Sequence, residues 1–223
     1  MQQEVMIPAR VIYSKTGRAK YISHLDTMRT LTRVLRRSGL PLWYTQGFNP
    51  HLYLTFLLPL ALGVESLCEI VDLRLIEPMC WDAVKERIGA HLPPGFEIIS
   101  AGAPILPAKS IAWAQYRLEL AFSQEERDAA MQAMQKLFDG QPITVLKKTK
   151  KGEQTLDIRP HAELLEISAV ENGFYCDLRL AAGTSVNVSP RLVIEAFGEA
   201  ARPPQGVKIL RTRVLDAEAK DFA

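Results

Sequence analysis

Ile22-Ser23-His24-Leu25-Asp26-Thr27-Met28-Arg29-Thr30-Leu31-Thr32-Arg33-Val34-Leu35-Arg36-Arg37-Ser38-Gly39-Leu40-Pro41 carries its own start and stop signals. Ser23 is a good helix N-cap, because its hydroxyl can accept from an amide of the first turn. Asp26, three residues on, can answer it and sets negative charge where the helix dipole favours it. Leu25, Met28, Leu31 and Leu35 recur at helical spacing and predict the buried stripe. Gly39 ends the helix and Pro41 forbids its continuation. Arg29, Arg33 and Arg36 fall on another face at i, i+4 and i+7, with Arg37 beside them.

Working outward, residues 10–13 and 21–22 read as β, joined by the polar turn Ser14-Lys15-Thr16-Gly17. After the helix, 42–45 and 52–56 read as strands around the loop Gln46-Gly47-Phe48-Asn49-Pro50-His51. An apolar connection broken by Pro59 and Gly63 follows. Residues 68–75 predict a strand, 80–91 a helix burying Trp81, Val84 and Ile88, and 96–100 a strand. The order β, α, β, β, α, β is a split βαβ, ferredoxin-like unit.

The second half repeats that order. Residues 116–122 alternate as a strand, and Ser123 with Glu126 forms a capping box for a helix through Phe138. Strands at 143–146 and 155–158 flank the turn Lys150-Lys151-Gly152. Strands at 165–170 and 174–180 flank Asn172-Gly173, a two-residue hairpin signal. Ser189 caps a last helix with Pro190 in its first position, and 207–214 closes the chain. The expected fold is α+β, two tandem ferredoxin-like domains at 1–103 and 111–223. The linker is 104–110, marked by Pro104 and Pro107.

Length and composition agree. The 223 residues suit two domains of roughly 100–150 residues, and 48% apolar with 23% charged residues describes a globular chain. Cys68, Cys80 and Cys176 form no C-x-x-C pair, so no zinc ribbon or iron–sulfur ligand set can be drawn. Scattered cysteines fit a reducing cytoplasm. The N-terminal residues 1–10 lack the apolar core of a signal peptide. The most apolar stretch, 52–64, is too short to span a bilayer. P-loop, dinucleotide-binding and nucleophile-elbow motifs are absent.

Charge is unevenly placed. The chain holds 27 Lys plus Arg and 25 Asp plus Glu, but residues 1–37 hold eight basic and two acidic side chains. Lys15, Arg18, Lys20, Arg29, Arg33, Arg36 and Arg37 are therefore candidate phosphate contacts. Tyr21, Tyr44, Phe48 and Tyr53 lie among them in sequence and are candidates for stacking bases. Lys147, Lys148, Lys150 and Lys151 make a second, weaker basic cluster. His24, Asp26 and His51 are the candidate catalytic groups. If the helix start and the 46–51 loop share one end of the sheet, two histidines and a carboxylate offer acid–base chemistry on a phosphodiester, or metal ligands. The plainer reading makes Asp26 a cap, His24 a hydrogen-bonded structural residue, and Gly47 and Pro50 turn-formers with Phe48 packed beneath the loop. No metal site is assigned.

These segments occur together in a recognisable order: Ser14-Lys15-Thr16-Gly17, Ile22-Ser23-His24-Leu25-Asp26, Leu35-Arg36-Arg37-Ser38-Gly39-Leu40-Pro41, Gln46-Gly47-Phe48-Asn49-Pro50-His51, Pro59-Leu60 and Leu62-Gly63-Val64-Glu65-Ser66. The chain thereby resembles the radical SAM-linked family of unknown function, the DUF2344 family. Asp157-Ile158-Arg159-Pro160 and Ser189-Pro190 resemble that family's second half more loosely. Ser189 stands where the resemblance leads one to expect arginine. The resemblance implies a partner, a B12-binding-domain radical SAM protein that would carry the iron–sulfur cluster and SAM, with no cofactor in this chain. The expectation is a noncatalytic accessory module binding RNA or an RNA-containing substrate, with no membrane association. The alternatives are a small ribonuclease or other hydrolase using His24 and His51, and a docking module using the apolar 52–64 stretch.

Overall fold

β1 (Ile7–Lys15) supplies the central strand of the first unit because Ala9, Val11 and Tyr13 alternate onto one buried face. In the computed structural model, which describes residues 6–149, 152–183 and 186–222, a 3-10 turn (Gly17–Tyr21) follows. Then come α1 (His24–Arg37), β2 (Leu54–Phe56), β3 (Glu65–Leu75), α2 (Trp81–Gly89) and β4 (Phe96–Gly102). The strands pair β4-β1-β3-β2, each pair antiparallel. Leu31, Val34 and Leu35 of α1 and Val84 and Ile88 of α2 close over Ala9, Val11, Val71, Leu73 and Leu75 in one apolar cluster. Each of these Leu, Val and Ile side chains contributes about 1.5–3 kcal/mol when fully buried. Arg10, also buried, is held by a two-pronged ion pair to Asp72 (2.8 and 3.0 Å) and by the Leu106 carbonyl (2.9 Å).

The chain divides into two compact units, the second running from Lys109 to Phe222. It comprises β5 (Trp113–Ala121), α3 (Gln124–Leu137), β6 (Thr144–Thr149), β7 (Gly152–Asp157), β8 (Ala162–Val170), β9 (Gly173–Ala181), α4 (Pro190–Ala200) and β10 (Gly206–Leu215). Its strands pair β10-β5-β9-β8, again antiparallel. That is the strand order of the first unit, with the β6–β7 hairpin added between α3 and β8. The fold is α+β. Phe122 and Phe174 stack at 5.8 Å and Phe197 meets both edge-on, filling the space under α4. Asp157 and Arg159 fasten the added hairpin. One Asp157 oxygen accepts from the Ile143 and Arg159 amides (2.9 Å each), and the Arg159 guanidinium donates to the carbonyls of Phe138 and Ala162. The lysine side chains expected near the hairpin tip, Lys147, Lys148, Lys150 and Lys151, lie outside the described residues.

Three local expectations are corrected. Residues 21–22 are not a strand: the chain coils as a 3-10 turn from Gly17, with Ala19 buried beside Gly95. Residues 42–45 make only isolated bridges, Leu42 to Leu75 and Tyr44 to Leu52, because the chain leaves the sheet there as a protruding arm. Leu25 is exposed rather than part of the buried stripe, lying in the first turn beyond the edge of the core. Among the described residues, no helix is long and apolar enough to cross a membrane.

Candidate nucleic-acid interface

α1 starts where the sequence signals place it. The Ser23 hydroxyl donates to an Asp26 carboxylate oxygen (2.7 Å) and accepts from the Asp26 amide (3.1 Å). Asp26 also takes a contact from Arg29 at 3.1 Å. The Ser23 hydroxyl first, and Arg29 second, hold the Asp26 carboxyl below its ordinary value. Its partners are cap and neighbour, not His24, so Asp26 is a capping residue in this geometry.

The buried side of α1 fixes its opposite side in water. Arg29, Arg33, Arg36 and Arg37 are all exposed, as is Arg18 in the preceding turn. Among the described residues, only Arg29 of these five has an ion-pair partner. The other two expected cations are placed differently. Lys15 is 2% exposed, its ammonium 2.7 Å from the Ile22 carbonyl. Burial pushes its pKa down, opposed by the charge of Glu69. It is a core lysine and leaves the set of phosphate contacts. Lys20 is tied to Glu65 at 2.8 Å and lies 5.5 Å from the Tyr21 ring.

The two histidines are held by different neighbours. His24 lies edge-on to Phe56 of β2, ring centroids 5.3 Å apart. His51 Nδ1 is 2.9 Å from the Thr45 hydroxyl and 3.3 Å from the Asn49 carbonyl, within its own loop. Among the described residues, no hydrogen bond joins His24 to Asp26 or to His51, and no group of three His, Cys, Asp or Glu side chains could hold a metal ion. The apolar 52–64 stretch is largely consumed by the fold: Leu52, Leu58, Leu60 and Val64 are buried, and Leu62 remains exposed.

The arm from Trp43 to Tyr53 is a feature whose shape the sequence did not announce. Trp43 and Tyr53 meet edge-on at 5.9 Å, and the Arg74 guanidinium lies 4.2 Å from the Tyr53 ring and 5.3 Å from Trp43. The Thr45 amide donates to the His51 carbonyl (2.8 Å), and the His51 amide donates back to the Thr45 hydroxyl (3.1 Å). Gly47 takes φ +128°, which favours glycine at this turn. Phe48, a candidate for stacking bases that the plainer reading packs beneath the loop, stands fully exposed at its tip, with Asn49 and Pro50 exposed beside it.

A family model described as "Uncharacterized protein conserved in bacteria (DUF2344)" matches residues 9–190. The chain belongs to this family. The match takes in the whole of α1, the arm and the Asp157–Arg159 latch, so the geometry above describes elements within the family's own span. No curated protein matches the chain. Among solved structures it is similar to a chain of a Cbf5-Nop10-Gar1 complex, with 12% identity and TM-score 0.45, over 92% of this chain and 48% of that one. It thus spans about half the length of that chain. It is also similar to an unknown protein from Galdieria sulphuraria, with 12% identity and TM-score 0.29, over 92% and 96% of the two chains. An anthrone oxidase-like protein is similar at 8% identity and TM-score 0.24, over 100% and 98%.

Proposed function

We propose that this protein binds RNA, or an RNA-containing substrate, as the accessory module of a cytoplasmic radical SAM system. It contributes no redox chemistry; a B12-binding-domain partner brings the iron–sulfur cluster and SAM. One observation carries the RNA part of this reading: the solvent face of α1 presents Arg29, Arg33, Arg36 and Arg37 together, with Asp26 its sole acidic side chain. Arginine forks suit phosphate oxygens, and a row of them along one helix gives sequence-independent affinity. Among the described residues, the sheet of the second unit pairs its exposed cations. There Arg117 pairs with Asp177, Arg179 with Glu163 and Lys208 with Glu119. The finer reading of the fold is two tandem ferredoxin-like domains, which the shared strand order supports.

The test is binding of tRNA and ribosomal RNA fragments as a function of salt. Affinity should fall linearly on a log–log plot, with a slope set by the number of phosphates neutralised. Changing Arg29, Arg33 and Arg36 together to Glu should abolish binding while the thermal midpoint stays near that of the parent. Binding indifferent to salt, or none at low salt, would sink the reading.

A further inference from the structure

We infer that the 45–51 arm is the base-contacting element of this interface: Phe48 stacks on an unpaired base, and the protein prefers single-stranded to duplex RNA. The inference rests on the RNA reading above and adds to it the kind of RNA and the residue that selects it.

Phe48 is an aromatic side chain left wholly in water, forgoing about 2–3 kcal/mol that its burial would return. The exposure does not follow from a floppy loop. Thr45 and His51 clasp the neck through both backbone and side chain, Asn49 holds the His51 ring, and Arg74 braces the Trp43–Tyr53 base. A clasped arm with a projecting ring is preorganised, so a partner that covers the ring meets little ordering cost.

The arm's chemistry identifies the partner. From Trp43 to Tyr53 it holds no acidic residue, and its exposed groups around Phe48 are amides and an imidazole: Gln46, Asn49 and His51. Those groups both donate and accept, which suits base edges. The arm begins at Trp43, six residues after Arg37, so its base lies within about 22 Å of the last arginine of α1. Ring, amides and cations therefore belong to one unit, with the base of the arm within reach of the end of α1. Every base has a π face, but a paired base in A-form RNA keeps its faces inside the stack. Phe48 can only be covered by a base that is free to leave it.

The experiment measures affinity of the full chain for a 20-nucleotide single strand and for a blunt duplex of equal length, with a fluorescent purine analogue in the strand. Phe48→Ala should weaken single-strand binding about 5- to 100-fold, leave duplex binding and the salt slope unchanged, and remove the quenching of the purine analogue. Phe48→Trp should keep all three. Because Phe48 touches no core residue, the thermal midpoint of both variants should equal the parent's. If the parent binds RNA but Phe48→Ala binds the single strand equally well, the inference fails while the RNA reading stands. That result would hand the ring to a protein pocket. If the parent binds neither RNA, both fall.

Discussion

Arg10 shows how a residue's charge and its place in a fold are settled separately. It lies on a strand among apolar neighbours, is 3% exposed, and has its charge met by both oxygens of Asp72. Removing one partner of such a pair strands the other in a low-dielectric site, whereas replacing both with apolar groups avoids the desolvation cost. Asp72→Ala should therefore cost about 3–5 kcal/mol in urea unfolding. The double variant Arg10→Met, Asp72→Leu should recover most of that loss. An Asp72→Ala cost under about 1 kcal/mol would show the pair to be incidental. Lys15 teaches the same lesson from the other side. Counted from the sequence it belongs to a basic sector; in the fold it continues the alternation of Ala9, Val11 and Tyr13 onto the buried face of β1. A strand expected to end at Tyr13, with Lys15 in a polar turn, hides that placement, because the period of two acts only where the strand continues.

At the scale of elements, whatever was local was legible. Ser23 and Asp26 mark the start of α1, Gly39 its end and Pro190 the first residue of α4, because each signal is a backbone requirement within four residues. Asn172-Gly173 marks the β8–β9 hairpin one residue late: the loop is Glu171-Asn172, and Gly173 pairs with Val170 as the first residue of β9. The Asp26 contacts give a pH prediction with a definite sign. Its folded carboxyl is held below the ordinary 3.8, so its contribution is present above that value and is lost as pH falls through the folded one. The thermal midpoints of the parent and of Asp26→Asn should differ at pH 7 and converge as the pH falls from 3.8 through the lower folded value. A gap that persists unchanged in acid would mean the carboxylate is not what caps the helix. Gly173 is the stricter case. It takes φ +134°, and a Cβ there would stand 2.0 Å from the Leu120 carbonyl oxygen, which belongs to the paired strand. Gly173→Ala should destabilise the second unit by more than about 2 kcal/mol, combining backbone strain with a clash that no rotamer relieves. Calorimetry would read it as a lowered transition. What escaped the sequence at this scale was non-local: residues 42–45 have strand composition, yet their partners lie across the chain at Leu52 and Leu75, and the arm leaves the sheet between them. For Phe48 the sequence left stacking and packing beneath the loop side by side, since an aromatic residue is ordinarily interior and no spacing distinguishes one that is not.

For the molecule as a whole, the repeat of element order was readable because helix and strand periodicities alternate in the same sequence twice. The distribution of charge gains meaning once the units are known. Residues 1–108 hold 11 basic and 9 acidic side chains, while the remainder balances, so the net +2 belongs to the first unit. Its apolar cluster draws only on residues of that unit, from Ala9 to Ile98, with Ala101 packed against it. A fragment ending at Ala108 should accordingly unfold cooperatively and bind RNA with the salt slope of the full chain. Where the cut falls matters physically. Leu106 supplies the carbonyl that receives Arg10 Nη1 at 2.9 Å. A fragment ending at Ala103 lacks this acceptor and leaves a buried donor short of one partner, which costs about 1–3 kcal/mol. The longer fragment should therefore melt several degrees above the shorter one, with equal RNA affinity at temperatures where both are folded. Equal midpoints would show that Arg10 is satisfied without Leu106. A folded longer fragment with a shallower salt slope than the intact chain would move part of the phosphate contact into the second unit, against the pairing of its cations on the sheet.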